Sequence, residues 1–206
     1  MDVEQPPVQI LDTLRVAVAA MRDAGVPFVL GGSFAAWARG GPLPQKDLDL
    51  MVKPADAERA LKALAAAGMR TERPPEEWLV KAWHGDVMID VIFHPAGLEM
   101  TDEVFARAEQ ISVMAIATAV MALEDMLATK LMSLDEHSLD YRGLLAIARA
   151  LREQIDWEAL YARTGDSPFA KAFFTLVHEL GIAPAVGPEG PSRRRPESTS
   201  RVRVVR

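Results

Sequence analysis

With 206 residues, half of them hydrophobic and a quarter charged, the chain has a globular composition and is long enough for one well-filled domain with a helical appendage. It has no cysteine, which excludes disulfides and Cys-based zinc sites, and no apolar run of the roughly eighteen residues that a membrane span needs. The net charge of −6 conceals an asymmetry: residues 183–206 carry six arginines against two glutamates, which leaves a body of charge −10, a poor general surface for nucleic acid.

Residues 1–7 lack the basic start of a secretory signal, so the expectation is a cytoplasmic protein with no membrane partner. Residues 8–24 place Ile10, Leu11, Leu14, Val18 and Met21 at helical spacing, with Gly25 as the stop. Pro27 opens a short apolar strand, Phe28-Val29-Leu30, which ends in Gly31-Gly32-Ser33 before the helix-compatible Phe34-Ala35-Ala36-Trp37-Ala38. Two glycines and a hydroxyl therefore sit where a helix begins. Unpaired backbone N–H groups and the helix dipole favour a phosphate there, and glycine lets it approach closely. Residues 40–44 can only be a turn or loop. Asp47-Leu48-Asp49-Leu50-Met51-Val52 then alternates as a strand does, with both carboxylates on one face and Leu48 and Leu50 on the other. Two like charges side by side repel, and burying them costs more still. A divalent cation resolves this, since Mg²⁺ is commonly held by one or two carboxylates and shares its remaining positions with substrate phosphates.

Residues 53–67 read as a helix with Pro54 in its first turn and Gly68 after its end. A short strand is expected at residues 69–71. Residues 77–83 and 86–93 read as two strands joined by His84-Gly85 as a two-residue hairpin, which brings Asp90 into the sheet beside the acidic pair. Asp90 lies among Met88, Ile89, Val91, Ile92 and Phe93, where an unpaired carboxylate is expensive. Metal coordination, general-base work, or a salt bridge to an Arg or Lys would each justify it. Asp86 shares its face and reads as a solvent charge near the turn, while Lys46 and Arg39 face either phosphate or solvent. Residues 101–108 form a short helix capped by Thr101, and residues 110–116 a last strand. From Ala119 the period is helical, over residues 119–135, 140–153, 156–164 and 167–180. The expected division is a core at 1–117, a helical region at 118–182 and a disordered, arginine-rich tail at 183–206 that either holds RNA or has no ligand. The four histidines show no metal spacing, and Trp37, Trp78, Trp83 and Trp157 read as packing rather than base-stacking residues.

The order Gly31-Gly32-Ser33, helix, loop, Asp47-x-Asp49, then Asp90 on a later strand resembles the signature of the DNA polymerase beta nucleotidyltransferase superfamily. That resemblance implies an α/β (α+β) fold, a mixed sheet flanked by helices and followed by a C-terminal helical bundle. It implies Mg²⁺, two ions, held by Asp47, Asp49 and Asp90, and a nucleoside triphosphate whose β and γ phosphates meet Gly32 and Ser33 while Gly31 lets the turn close. A second stretch, Leu123 to Leu134 with Lys130, followed by His137-Ser138-Leu139-Asp140, is similar to AbiEii-type and MenT-type toxin nucleotidyltransferases. By that likeness Lys130 binds the triphosphate and Asp140 completes the nucleotide site, although Gly143 stands where the family usually repeats the acid. It implies a toxin that adds nucleotides to the tRNA 3′ end and is restrained by a cognate antitoxin. Transfer onto a small molecule or a protein side chain shares the same core, and a nucleotide-binding module without chemistry is the reading of a different class.

Overall fold

The computed structural model describes residues 6–44 and 47–187. Lys46 and the six arginines of the tail lie outside them. The described chain runs α1 (Val8–Asp23), β1 (Val29–Leu30), α2 (Gly32–Trp37), β2 (Asp47–Met51), a 3-10 turn (Pro54–Asp56), α3 (Ala57–Ala66), β3 (Arg70–Glu72), β4 (Leu79–His84) and β5 (Val87–Ile92). It continues with α4 (Asp102–Ala106), β6 (Glu109–Val113), β7 (Ile116–Val120), α5 (Leu123–Met132), α6 (Arg142–Leu151), α7 (Trp157–Thr164) and α8 (Pro168–Glu179). The seven strands form one mixed sheet in the order β3-β4-β5-β2-β1-β7-β6. This is the α/β architecture that the sequence predicts, with its helical C-terminal half. Among the described residues no helix is long and apolar enough to cross a membrane.

The period-2 pattern of the central strands decides which face is which. Leu48, Leu50, Ile89, Val91 and Ala82 are fully buried on one face, where α1 and α3 pack. Asp47, Asp49 and Asp90 point to the other, where α2 packs on β2 and α5 on α2. β1 and β2 are antiparallel, whereas β2 and β5 are parallel with Asp49 level with Asp90. One hydrophobic core joins α1, the sheet and the helices α5 to α8.

Two turns differ from expectation. His84 belongs to β4 and pairs with Val87, so the first hairpin turns at Gly85-Asp86, with Gly85 at φ 60°, and not at His84-Gly85. His84 is held instead by a 3.0 Å hydrogen bond between its Nδ1 and the Thr13 hydroxyl of α1. The second concerns residues 110–116, which are not one last strand but the first arm and turn of a hairpin. Met114 and Ala115 occupy the turn at φ 47° and 65°, and β7 returns to pair with both β6 and β1. Two left-handed residues make the turn that matches strand twist, yet Asn-Gly normally marks it and neither is present here. β7 thus extends to Val120, across the expected core boundary at 117, and the helical half begins at Leu123.

A left-handed L-residue costs about 1–2 kcal/mol, and glycine escapes that at some cost in unfolded-state entropy. Ala115→Gly is therefore expected to stabilise the protein by about 0.5–1 kcal/mol, read as a higher urea midpoint at unchanged slope.

Candidate active site

The site is built on the β1 to α2 turn. Gly31 donates its N–H to the Asp49 carbonyl at 2.8 Å, which fastens the turn to β2 and commits that donor to the sheet. Gly32 follows at φ 56°, and a Cβ placed on it would lie 1.5 Å from Asp49 Oδ2. Only glycine fits both the conformation and the space, so the backbone of residue 32 lies directly over the Asp49 carboxylate.

Parallel pairing sets Asp49 beside Asp90, and Asp47 lies two residues along the same face. Asp47 and Asp49 are half-buried, and Asp90 is buried. Burial pushes the Asp49 carboxyl up from its usual 3.8 to about 6, Asp47 and Asp90 push it further, and Lys130 and Lys81 oppose the rise. A carboxylate so placed needs a cation. Lys81, opposite Asp90 in the β4–β5 pairing, donates from Nζ to Asp90 Oδ1 at 2.7 Å and approaches Met88 Sδ at 3.6 Å. A salt bridge, one of the three justifications for Asp90, is therefore present.

Lys130 reaches the same place from α5, at a wall shared by two compartments. One, of about 500 Å³, is lined by Ser33, Lys130, Asp140 and Arg142. The other, of about 650 Å³, is lined by Gly32, Asp49, Trp78, His94, Lys130 and Asp135. Asp140 is exposed at the rim of the first, where its carboxylate accepts from the Arg142 N–H at 2.8 Å. The structure thus brings Ser33, Lys130 and Asp140 to one compartment and Gly32, Asp49 and Lys130 to the other, with Asp47 and Asp90 beside Asp49 on the strand face and Gly31 bonded to its backbone.

Other residues of interest lie elsewhere. Arg39 turns neither to phosphate nor to solvent: its side chain is 4% exposed and pairs with Glu109 at 3.0 Å. Asp86 sits exposed in the hairpin turn. Trp37 packs edge-on to Phe34, Trp157 is buried, and Trp83 stacks with Arg70, so Trp78 alone among the four tryptophans lines a compartment of the cleft.

Two features escaped the sequence reading. Lys81 was legible only through the register of the β4–β5 hairpin. Asp125, fully buried on α5, takes Arg107 from beyond α4 and Arg163 from α7, and so ties the helix that carries Lys130 to both halves of the chain. A buried carboxylate is tolerable only when paired in this way.

For a divalent ion, Asp47 and Asp49 offer the hard oxygens that Mg²⁺ prefers, and Asp49 has a charge in need of compensation. Among the described residues no three acidic or histidine side chains are disposed as a finished metal cage.

A mixed sheet, an acidic face and a glycine cradle are the parts of a nucleotidyltransferase. Residues 8–187 match the model of a family described as uncharacterised nucleotidyltransferase, and the chain belongs to that family. No protein with a curated description matches. Among solved structures, ANT(2")-Ia in complex with adenylyl-2"-tobramycin is 16% identical with a TM-score of 0.58, over 79% of this chain and 97% of that one. A Thermotoga maritima protein described as a nucleotidyltransferase is 13% identical with a TM-score of 0.51, over 73% and 95%. One from H. pylori is 17% identical with a TM-score of 0.51, over 87% and 83%. At these identities the likeness concerns the fold.

Proposed function

We propose that the protein transfers a nucleoside monophosphate from a nucleoside triphosphate to an acceptor hydroxyl, with Asp47, Asp49 and Asp90 holding Mg²⁺. The observation that carries this is the level pairing of Asp49 and Asp90 beneath the Gly32 backbone, with Lys130 alongside. Gly32, Ser33 and Lys130 hold the β and γ phosphates, so that the α-phosphorus lies over the acidic face. The acceptor oxygen forms its bond to that phosphorus as the bond to the β-phosphate oxygen breaks, and pyrophosphate leaves against Lys130. Asp90 takes the hydroxyl proton. Magnesium, when bound, lowers the cost of charge on the attacking and leaving oxygens. Holding both reactants in line supplies much of the remaining acceleration.

The second compartment favours a small acceptor. It has the volume of a small-molecule site, it abuts Asp49, and it presents Trp78 and His94. ANT(2")-Ia, whose complex contains adenylylated tobramycin, illustrates such a transfer on a similar fold. A second reading takes the tRNA 3′ end as acceptor, in a toxin restrained by an antitoxin. Lys130 and Asp140 lining the same compartment as Ser33 favour it.

Incubation with each α-labelled nucleoside triphosphate and Mg²⁺, in the presence of total RNA, of protein, or of a panel of hydroxylated and amino-sugar small molecules, separates the readings. Label is expected on a small molecule and is expected to vanish with Asp49→Asn. Label on RNA would replace the first acceptor by the second, and no label on any acceptor would refute transfer.

A further inference from the structure

The acidic face already contains a cation. Lys81 is inherited from the neighbouring strand, not from the acidic motif, and the hairpin register aims it at one target: it stands directly across from Asp90, with a 2.7 Å bond between Nζ and Oδ1. Both partners are shielded, with the lysine side chain 22% exposed and the aspartate 13%, so water screens the pair weakly. Its charge also reaches Asp49.

We propose that Lys81 is a resident counter-cation that competes with the divalent ion for Asp90, and so sets the metal concentration at which the site becomes complete. The inference rests on the Mg²⁺-dependent reading above and goes beyond it by assigning a residue outside the acidic motif. Charge counting makes the argument. Asp47, Asp49 and Asp90 bring three negative charges, and Lys81 and Lys130 return two. The residual single negative charge is a weak attractant for a dication. With Lys81 turned away the balance is two, which matches one divalent ion. Lys81 can turn from Asp90, since its four-carbon stem is flexible and its Nζ already approaches Met88 Sδ at 3.6 Å. A nucleotide entering with its own negative charge favours the same exchange, because it raises the attraction of the site for the divalent ion. The site is in this way held at a single negative charge, a weak attractant for stray divalent cations, until triphosphate and metal arrive together.

The test is Mn²⁺ binding to the full chain without nucleotide, followed by the loss of the free-ion electron paramagnetic resonance signal. An opposite charge within about 4–6 Å is worth one to three pKa units to a carboxylate, so removing it should change cation affinity by about tenfold or more. Lys81→Met is expected to bind Mn²⁺ about tenfold more tightly than the parent, and Lys81→Gln to gain in the same direction while preserving polarity should the first variant fold poorly. The gain is expected to disappear when Asp90→Asn is added to either. Parent-like or weaker binding in a folded Lys81 variant would overturn the competition. Should the parent bind Mn²⁺ through Asp49, shown by its loss in Asp49→Asn, while the Lys81 variants match it, only this inference falls. Should no form bind Mn²⁺, the metal reading falls with it.

Discussion

Asp49→Asn is expected to abolish nucleotidyl transfer and, at the same time, to make the metal-free protein more stable at neutral pH. A carboxylate whose oxygen holds the ion contributes several kcal/mol to transition-state charge stabilisation, so a loss of at least about a thousandfold in kcat/KM is expected. The stability change has the opposite sign because folding buries the same charge. The Asp49 carboxyl rises from 3.8 to about 6 on folding, so the folded protein binds the proton more tightly than the unfolded chain. The penalty is absent below pH about 4, grows as pH rises through the window from about 4 to 6, and is complete above it. At 1.36 kcal/mol per pKa unit it amounts to about 3 kcal/mol. The isosteric amide does not titrate, so the difference in unfolding free energy between variant and parent should follow that window, near zero at pH 4 and at its full value by pH 7. Mg²⁺ should reverse the order by stabilising the parent alone. Chemical denaturation of both proteins across pH, with and without the ion, measures this. A variant no more stable than the parent at pH 7 would mean that the carboxylate is not strained in the folded state.

The acidic face shows why some of this was legible in the sequence and some was not. Alternation in Asp47-Leu48-Asp49-Leu50 fixes the side of the sheet for both carboxylates, and it is a local property that survives any error elsewhere. The fold class was legible for the same reason: long periodic segments announce their type. Turn placement is less forgiving. With the hairpin set at His84-Gly85, residue 90 would stand opposite Leu79; with the actual turn at Gly85-Asp86 it stands opposite Lys81. A one-residue shift in the turn moves the partner by two positions on the same face, which replaced an ammonium by an apolar side chain and hid the salt bridge. The β6–β7 hairpin was missed for a different reason. Its turn uses Met114 and Ala115 where the conformation calls for asparagine and glycine, and the alanine-rich β7 reads equally well as the start of a helix. Arg107, Asp125 and Arg163 converge through tertiary packing of three separate segments, which no spacing in the sequence encodes.

Gly32→Ala should show that the glycine cradle and the acidic strand act as one unit. The added methyl would sit 1.5 Å from Asp49 Oδ2, 2.5 Å from its Cγ and 3.1 Å from its Cβ, so the whole carboxylate must rotate away. A displacement of about 1 Å in a positioned group can cost about a hundredfold in rate, and transfer is expected to fall by at least that much. The left-handed backbone adds strain of about 1–2 kcal/mol that no side-chain movement relieves. Gly31→Ala is a useful contrast. Its methyl meets the flexible end of Met51 at 2.7 Å and its φ of −111° suits any residue, so a smaller loss is expected. The decisive comparison adds Asp49→Ala to Gly32→Ala. In that background the 1.5 and 2.5 Å clashes are gone and only the 3.1 Å approach to the residue 49 Cβ remains, so the double variant should be more stable than the sum of the single effects allows, while transfer stays absent. Simple additivity in stability, with residue 49 truncated, would mean that the two residues are not in contact and that the cradle does not lie over the carboxylate. Coupling together with an inactive single variant would make the close approach of the Gly32 backbone to Asp49 the feature that fixes the carboxylate where the triphosphate must arrive.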